Sequence, residues 1–351
     1  MPSARNTHGP DQRTKDVDHI LMHTGTLWEH LRNASIFVTG GTGFLGTWLV
    51  QSFLHANDRH QLNSHITVLS RNPHKIQITH PALTMIKGDV RTFENPKKEF
   101  THIIHGATDA DASLLKERPQ EIEETILEGT KRVLALAQES NTQRLLFLSS
   151  GAVYGPQPPD MTHLSEEYEA NPEHDSPLYA PYARGKRAAE ILCNEAASDA
   201  LTTTIARCFA FLGPNIPLDM HYAVGNFLGD AMHAGPIVVE SDGRPVRSYL
   251  YTADAAVWFW TILLKGQSQR AYNVGSEEGF SIHDVAQMVA AAIGTHPEIQ
   301  ILQKTDLSKP APRYVPSTTR ARQELNLIER IGLQEQIERT LHAILPAHAA
   351  D

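Results

Sequence analysis

Three side chains suited to acid–base chemistry occur in the middle of the chain. Ser150 ends the apolar segment RLLFLSS, and Tyr182 precedes Lys186 by four residues at the start of a predicted helix. Residues four apart lie on the same face of a helix. A tyrosine titrates near pH ~10 in water, and a nearby ammonium favours its phenolate form. We therefore expect Lys186 to lower the pKa of Tyr182, which would act as general base towards a hydroxyl or general acid towards a ketone, with Ser150 bonded to the same oxygen.

A glycine-rich turn follows the first predicted strand, residues 35–39, and opens a predicted helix. The spacing G-x-x-G-x-x-G allows a tight turn, close approach of the backbone to a pyrophosphate and close packing of helix on strand. The helix that begins there offers free N–H groups to the phosphates. The pattern predicts a dinucleotide site that includes Gly40, Thr42, Gly43, Phe44, Leu45 and Gly46.

The end of the second predicted strand bears on the choice between NAD and NADP. A carboxylate at this point binds the ribose 2′-hydroxyl of NAD, but this chain has Ser70 and Arg71 there. A serine and an arginine suit a 2′-phosphate, so NADP is slightly favoured over NAD; the alternative for Arg71 is a solvated loop residue. Asp89 and Val90 follow the third predicted strand and are expected beside the adenine, although Asp89 also suits a simple turn.

Strands and helices alternate through the first two thirds of the chain. Six apolar strands, separated by helices that include residues 44–55, 121–139 and 181–197, predict a parallel sheet covered on both faces. Residues 1–17 are expected to be disordered and residues 17–33 to contain a helix. The predicted fold class is α/β, a Rossmann-type doubly wound parallel sheet with a smaller C-terminal substrate lobe. Its expected parts are an extension (1–33), a Rossmann domain (34–213, rejoined by 247–275) and the lobe (214–246 and 276–346).

Composition argues against several classes of function. The 351 residues carry a formal net charge of -9, which gives no electrostatic footprint for nucleic acid. The longest apolar run, residues 255–264, is far shorter than the ~20 residues that span a membrane. The polar start lacks a signal peptide's apolar core, and two cysteines fit a reducing compartment. We therefore expect a cytoplasmic protein, and the scattered histidines predict no metal site.

Several further motifs accompany these two sites, and together they resemble one family. They are T-G-G-T-G-F-L-G (39–46), G-D-V (88–90), H-G-A-T (105–108), L-S-S-G-A-V-Y-G (148–155), Y-A-R-G-K (182–186) and R-S-Y-L-Y-T-A-D (247–254). Over residues 34–330 the chain resembles an extended short-chain dehydrogenase/reductase of the NAD-dependent epimerase/dehydratase family. The resemblance implies a Rossmann-type domain, a lobe that binds a nucleotide-diphosphate sugar, and a homodimer. It also implies that Lys186 holds the nicotinamide ribose.

The resemblance extends to residues that would bind the substrate. Asn226 matches the family's asparagine that contacts the diphosphate, and Arg247 falls where members grip a phosphate. Arg313 is a weaker candidate for the same role. Thr108 follows the fourth predicted strand, at the carboxyl edge of the sheet where ligands bind, and is expected in the pocket. Asp109 and Asp111 follow it closely, and their role is left open.

Two departures from the family pattern bear on the reaction. Members that are 4,6-dehydratases carry Asp-Glu directly after the Ser150-like hydroxyl, and UDP-glucuronate decarboxylases carry a Glu at the second position; here these residues are Gly151 and Ala152. The remaining Ser150, Tyr182 and Lys186 suffice for hydride transfer at one carbon. The favoured function is therefore an NAD(P)-dependent nucleotide-sugar epimerase, acting at C4. The alternative is an NADPH-dependent 4-ketosugar reductase; dehydratase, decarboxylase and non-catalytic cofactor sensor are less favoured.

Overall fold

The computed structural model describes residues 11–108, 117–171, 177–219, 222–233 and 235–345. Seven parallel strands form one central sheet, in the order 3-2-1-4-5-6-11 by strand number. The strands of the described chain are β1 (Ser35–Thr39), β2 (His65–Ser70), β3 (Leu83–Lys87), β4 (His102–His105), β5 (Arg144–Ser150), β6 (Thr202–Cys208), β7 (Phe211–Leu212), β8 (Ile237–Val239), β9 (Val246–Arg247), β10 (Leu250–Tyr251), β11 (Arg270–Val274), β12 (Phe280–Ser281), β13 (Ile299–Ile301) and β14 (Arg313–Tyr314).

Helices cover both faces of this sheet. One face packs against helices α2 and α6, on which α1 packs in turn, and this layer contains four buried tryptophans; the other face packs against α3 and α4. The helices are α1 (Gln12–Thr24), α2 (Phe44–His60), α3 (Pro119–Glu139), α4 (Ala180–Glu195), α5 (Ala223–Met232), α6 (Thr252–Lys265), α7 (Ile282–Ile293), α8 (Thr319–Leu325) and α9 (Leu333–Ile344).

The central strands are apolar because the sheet is buried on both faces. Strand β4 is buried throughout, and the four middle residues of β2 are buried as well. Strands covered by helices on both sides carry nearly continuous apolar runs rather than an alternating pattern. The strands are added outward from β1, first through β2 and β3 on one side and then through β4, β5 and β6 on the other. This strand order is that of a Rossmann fold. The predicted α/β class is confirmed.

The N-terminal helix starts earlier than the sequence suggests. Asp11 caps it by accepting a hydrogen bond from the Thr14 backbone N–H at 2.8 Å. Asp16 is fully buried, accepts from the Tyr251 hydroxyl at 2.7 Å and lies 3.0 Å from Arg339. The expectation of disorder up to residue 17 is therefore wrong for residues 11–17. The partners of Asp16 lie in α9 and β10, and the local composition does not reveal them.

Parts of the chain that follow β6 in sequence form a smaller lobe. Helices α5, α7 and α9 pack together around a separate apolar core, beside the parallel pair β8 and β13. A second small sheet places β9 between β12 and β14. In that sheet Arg313 pairs with Val246 and Tyr314 pairs with Arg247. This pairing brings a late segment of the chain to the carboxyl edge of the central sheet. Within the described ranges, none of the helices combines the length and apolarity needed to cross a membrane.

Candidate active site

The glycine-rich turn after β1 has a shape that side chains would prevent. Gly40 has φ +78°, and a Cβ there would lie 2.7 Å from the Gly106 carbonyl carbon. A Cβ at Gly46 would overlap the carbonyl oxygen of Gly40. The Gly43 N–H donates to that same oxygen at 3.0 Å, and Gly43 is the N-cap of α2. The first N–H groups of a helix have no partner within it. The turn and the helix therefore fit a dinucleotide pyrophosphate.

Polar groups cluster where the adenosine end of such a cofactor would lie. Thr42 Oγ1 and Ser70 Oγ are 2.9 Å apart, so the glycine-rich turn is bonded to the end of β2. The Asp89 carboxylate accepts from Arg91 Nε at 3.0 Å and from Nη2 at 2.7 Å. Arg91 and, to a lesser extent, Arg71 hold the pKa of Asp89 below its usual value. Arg71 is exposed to solvent, and Val90 is buried against Gly129.

The three predicted catalytic side chains converge at the end of β5. The buried Lys186 ammonium donates to the Leu148 carbonyl oxygen at 2.8 Å and lies 4.8 Å from the centre of the Phe147 ring. One turn earlier on α4, the Tyr182 phenol lies close enough to Ser150 for the serine hydroxyl to affect its pKa. The ammonium is 5.7 Å from the centre of the Tyr182 ring. The structure thus brings Ser150, Tyr182 and Lys186 together.

The electrostatic effect of Lys186 on Tyr182 differs from the prediction. Burial raises the pKa of Tyr182, and the nearby Ser150 hydroxyl offsets only part of that rise. Burial also lowers the pKa of Lys186 to about 8. Loss of hydration disfavours the charged form of both groups. The ammonium is turned towards Leu148, so the expected lowering of the Tyr182 pKa by Lys186 is wrong for the protein alone.

A second phenol, not predicted from the sequence, lies beside Ser150. The Tyr314 hydroxyl lies close enough to Ser150 for the serine to affect its pKa, and the Tyr314 ring lies 4.6 Å from the Phe209 ring, centre to centre. A Cβ at Gly151 would overlap the Tyr314 hydroxyl and lie 2.9 Å from Cζ of Phe209. The volume next to Ser150 is therefore filled by residues from β14 and from the segment after β6. The sequence signal for this packing is Gly151 itself, because a glycine there leaves room for another residue.

The predicted substrate-binding residues have different surroundings in the structure. Thr108 Oγ1 and Asn226 Oδ1 are buried and have no hydrogen-bond partner among the described residues. Buried polar atoms are nearly always bonded, so both atoms suit a ligand. The Arg247 guanidinium lies 6.0 Å from the centre of the Tyr314 ring. Arg313 precedes Tyr314 on β14. Because neighbouring residues of a strand face opposite sides, the Arg313 side chain and the Tyr314 ring are on opposite faces of this strand.

Few acidic side chains lie near the site among the described residues. One of them, Glu190, is already held by hydrogen bonds from other side chains. Glu190 acts electrostatically on Lys186, but it accepts from Ser149 at 2.5 Å and from Arg207 at 2.8 Å. Arg207 also donates to the hydroxyl of buried Tyr154 at 2.9 Å. Tyr154 is thus part of a packed polar network behind the site. Asp109 and Asp111 lie outside the described residues. No group of three metal-binding side chains occurs in the described part of the chain.

Comparison with known proteins identifies the family. Residues 36–275 match the family model described as the NAD dependent epimerase/dehydratase family. The chain belongs to this family. The match runs from β1 to the residue after β11 and so includes the glycine-rich turn and all three converging side chains. The predicted family is therefore confirmed.

Relatives within and around the family carry out different reactions. UDP-glucuronic acid decarboxylase 6 from Arabidopsis thaliana is 28% identical over 86% of this chain and 86% of its own length. The fold is similar to that of a UDP-N-acetylglucosamine 4-epimerase from Methanobrevibacter ruminantium, with a TM-score of 0.77 at 18% identity, covering 89% of this chain and 98% of that one. It is also similar to a dTDP-glucose 4,6-dehydratase from Bacillus anthracis in complex with NAD, with a TM-score of 0.72 at 20% identity, covering 88% and 96%. The names of these relatives therefore do not decide which reaction this chain catalyses.

Replacing Tyr182 with phenylalanine tests the role of the phenol. Tyr182→Phe should lower turnover by about 100- to 10,000-fold, the usual contribution of a general acid–base group. Dinucleotide affinity, measured by calorimetry, and the melting temperature should change little because the ring is kept. Tyr179→Phe, at an exposed tyrosine three residues earlier, is the matched control and should keep full turnover. Turnover of the Tyr182 variant within a few-fold of wild type would remove Tyr182 from the mechanism.

Proposed function

We propose that this protein is a nucleotide-sugar epimerase that acts at C4 through a transient 4-keto sugar. The observation that supports this most directly is the composition of the site at the end of β5. Ser150, Tyr182 and Lys186 converge there, while Gly151 and Ala152 carry no acid and Tyr314 fills the adjoining space. Such a site can move a proton and a hydride at one carbon. Elimination of water needs a further acid and base, which residues 151 and 152 do not supply.

Each side chain has a defined part in this reaction. The Tyr182 phenolate takes the proton of the C4 hydroxyl as that oxygen becomes a ketone, and returns it when the ketone is reduced. A bound nicotinamide would supply the acceptor, and then the donor, for the hydride at C4. Ser150 hydrogen-bonds the same sugar oxygen, and Lys186 is placed to hold the ribose of the nicotinamide. Protons, electrons and atoms balance over the cycle, because the product is an isomer of the substrate.

The substrate class follows from the polar atoms around the site and from the relatives. Thr108 Oγ1 and Asn226 Oδ1 are buried and have no hydrogen-bond partner within the described ranges, and Arg247 offers a planar cation that suits a diphosphate. Relatives at 25–28% identity are named UDP-glucuronic acid decarboxylases. We therefore propose a UDP-sugar as substrate. Decarboxylation is the less favoured reaction because Ala152 replaces the glutamate expected in such enzymes.

A reductase is the second candidate, and the end of β2 favours it. Ser70 is bonded to Thr42, and the neighbouring Arg71 is exposed beside the Asp89–Arg91 pair. No acidic residue stands at 70 or 71 to receive a ribose 2′-hydroxyl. These residues suit the 2′-phosphate of NADP, a cofactor fitted to net reduction. An epimerase returns its hydride, so it works with either cofactor.

The two candidates differ in the mass of their products. Wild-type enzyme would be incubated separately with UDP-glucose, UDP-glucuronate and dTDP-glucose, and the products analysed by mass spectrometry and proton NMR. We expect a C4 epimer of unchanged mass from at least one UDP-sugar, without added reductant. In a further incubation with a nucleotide-linked 4-keto sugar and NADPH, gain of two hydrogens by the sugar would favour the reductase. Loss of water from dTDP-glucose, or stoichiometric loss of CO2 from UDP-glucuronate, would contradict the proposed function.

Arginine 71 provides a test of cofactor choice. Arg71→Ala should weaken NADP binding by about 10-fold, because a charged hydrogen bond to the 2′-phosphate is lost. Binding of NAD, which lacks that phosphate, should scarcely change. Arg59→Ala removes another exposed arginine, on α2, and serves as the control in the same calorimetric titrations. An equal loss for both cofactors, or tighter wild-type binding of NAD, would exclude the NADP preference.

A further inference from the structure

The ends of two neighbouring strands, β1 and β4, are joined by side chains that the proposed reaction does not use. Thr39 ends β1 and lies in register with His105, which ends β4, and both side chains are buried. These two strands are the pair from which the sheet is extended in both directions. A Rossmann fold holds its dinucleotide in the crevice at the carboxyl ends of that pair. The contacts of Thr39 and His105 therefore help to shape the crevice.

The hydrogen bonds of the Thr39 hydroxyl assign one nitrogen of the His105 ring. Thr39 Oγ1 accepts from the backbone N–H of Gly106 at 3.2 Å and from that of Ala107 at 3.1 Å. A hydroxyl has two lone pairs and one proton. Because both lone pairs are occupied, the Thr39 proton is donated to His105 Nδ1, which lies 2.7 Å away. Nδ1 is therefore an acceptor and carries no proton.

The other nitrogen of the ring is assigned by a threonine of helix α3. His105 Nε2 lies 3.1 Å from Thr130 Oγ1, and Thr130 donates its own proton to the Ile126 carbonyl oxygen at 2.7 Å. Thr130 can therefore only accept from His105, so Nε2 carries the proton. Both ends of the network thus give the same neutral form of the ring. Burial and, to a lesser extent, the Lys186 charge lower the pKa of His105 to about 3, which agrees with a neutral ring.

The other tautomer of the ring would disturb the backbone after β4. A proton on Nδ1 would point at Thr39 Oγ1 and displace one of the two backbone N–H groups from it. Gly106 has a second acceptor, the Thr39 carbonyl oxygen at 3.1 Å, so the Ala107 N–H is the group displaced. This backbone lies against the glycine-rich turn, because a Cβ on Gly40 would be 2.7 Å from the Gly106 carbonyl carbon. The tautomer of His105 therefore affects the wall of the crevice.

We propose that His105 is a positioning residue for the dinucleotide: held by Thr130 as the Nε2–H tautomer, it leaves the Thr39 oxygen free to fix the backbone after β4 against the glycine-rich turn. The proton on one ring nitrogen is set by the hydrogen bond that the other nitrogen makes. Thr108 continues the same backbone, and its buried Oγ1 has no partner in the described ranges, so the network also places a predicted substrate contact. The inference rests on the dinucleotide site of the proposed function and not on the sugar reaction.

Replacing Thr130 with valine removes the acceptor of the His105 Nε2–H from outside the crevice. Affinity for NAD and NADP would be measured by calorimetry on protein stripped of bound nucleotide. We expect Thr130→Val to weaken binding of both by about 3- to 10-fold, as for loss of one hydrogen bond. Thr125→Val is the matched control, since Thr125 is buried on the same helix and donates to the Glu121 carbonyl oxygen at 2.7 Å in the same way. It should keep wild-type affinity. An equal effect of the two variants on affinity would overturn the proposal.

The tautomer itself can be read by NMR on the protein without cofactor. The ring nitrogens of the 19 histidines would be labelled with ¹⁵N, and the His105 signals identified by their absence from His105→Gln. Long-range proton–nitrogen correlations should show the Nε2–H form in wild type and in Thr125→Val, and a population of the Nδ1–H form in Thr130→Val. A wild-type ring protonated at Nδ1, or a ring that ignores Thr130→Val, would refute the role of His105. Both measurements leave out the sugar, so their outcome is separate from success or failure of the proposed sugar reaction.

Discussion

The hydrogen bond from the Lys186 ammonium to the Leu148 carbonyl oxygen joins the two elements that form the active site. The bond is 2.8 Å long and fully buried, so the ammonium has no access to water. A buried charge without a partner is costly, and a shift of α4 along β5 would leave Lys186 in that condition. Tyr182 lies one turn before Lys186, and Ser150 lies two residues after Leu148. The position of the phenol against the serine therefore depends on this one contact.

Two distant parts of the chain together shape the space beside Ser150. Gly151 follows this serine, and Tyr314 reaches into the space that a side chain at 151 would need. An acid introduced at 151 alone would collide with the phenol, so the absence of a side chain at 151 and the packing of Tyr314 are structurally linked. The space therefore holds a neutral hydroxyl and no carboxylate from residue 151. Under the proposed function, this arrangement suits proton movement at one carbon and does not suit removal of water from the next.

The sequence predicts the parts of this protein that are encoded locally. The glycine-rich turn, the buried strands and the four-residue spacing of Tyr182 and Lys186 each lie within a short segment, and each leads to the structure that is observed. Tyr314 could not be found in this way, because its contact with Ser150 depends on the pairing of β14 with β9. The partners of Asp16 lie near the other end of the chain, so order at residues 11–17 was missed for the same reason. The pKa of Tyr182 depends on burial, which spacing to a lysine does not report.

The fate of the hydrogen on C4 of the sugar tests the central claim most directly. Wild-type enzyme would be incubated with UDP-glucose carrying deuterium at C4, and the products followed by deuterium and proton NMR. If Ser150, Tyr182 and Lys186 support removal and return of a hydride at one carbon, UDP-galactose should form with its deuterium still at C4 and none in the solvent. Deuterium released to water, or found at C6 of a 4-keto-6-deoxy sugar, would contradict the account.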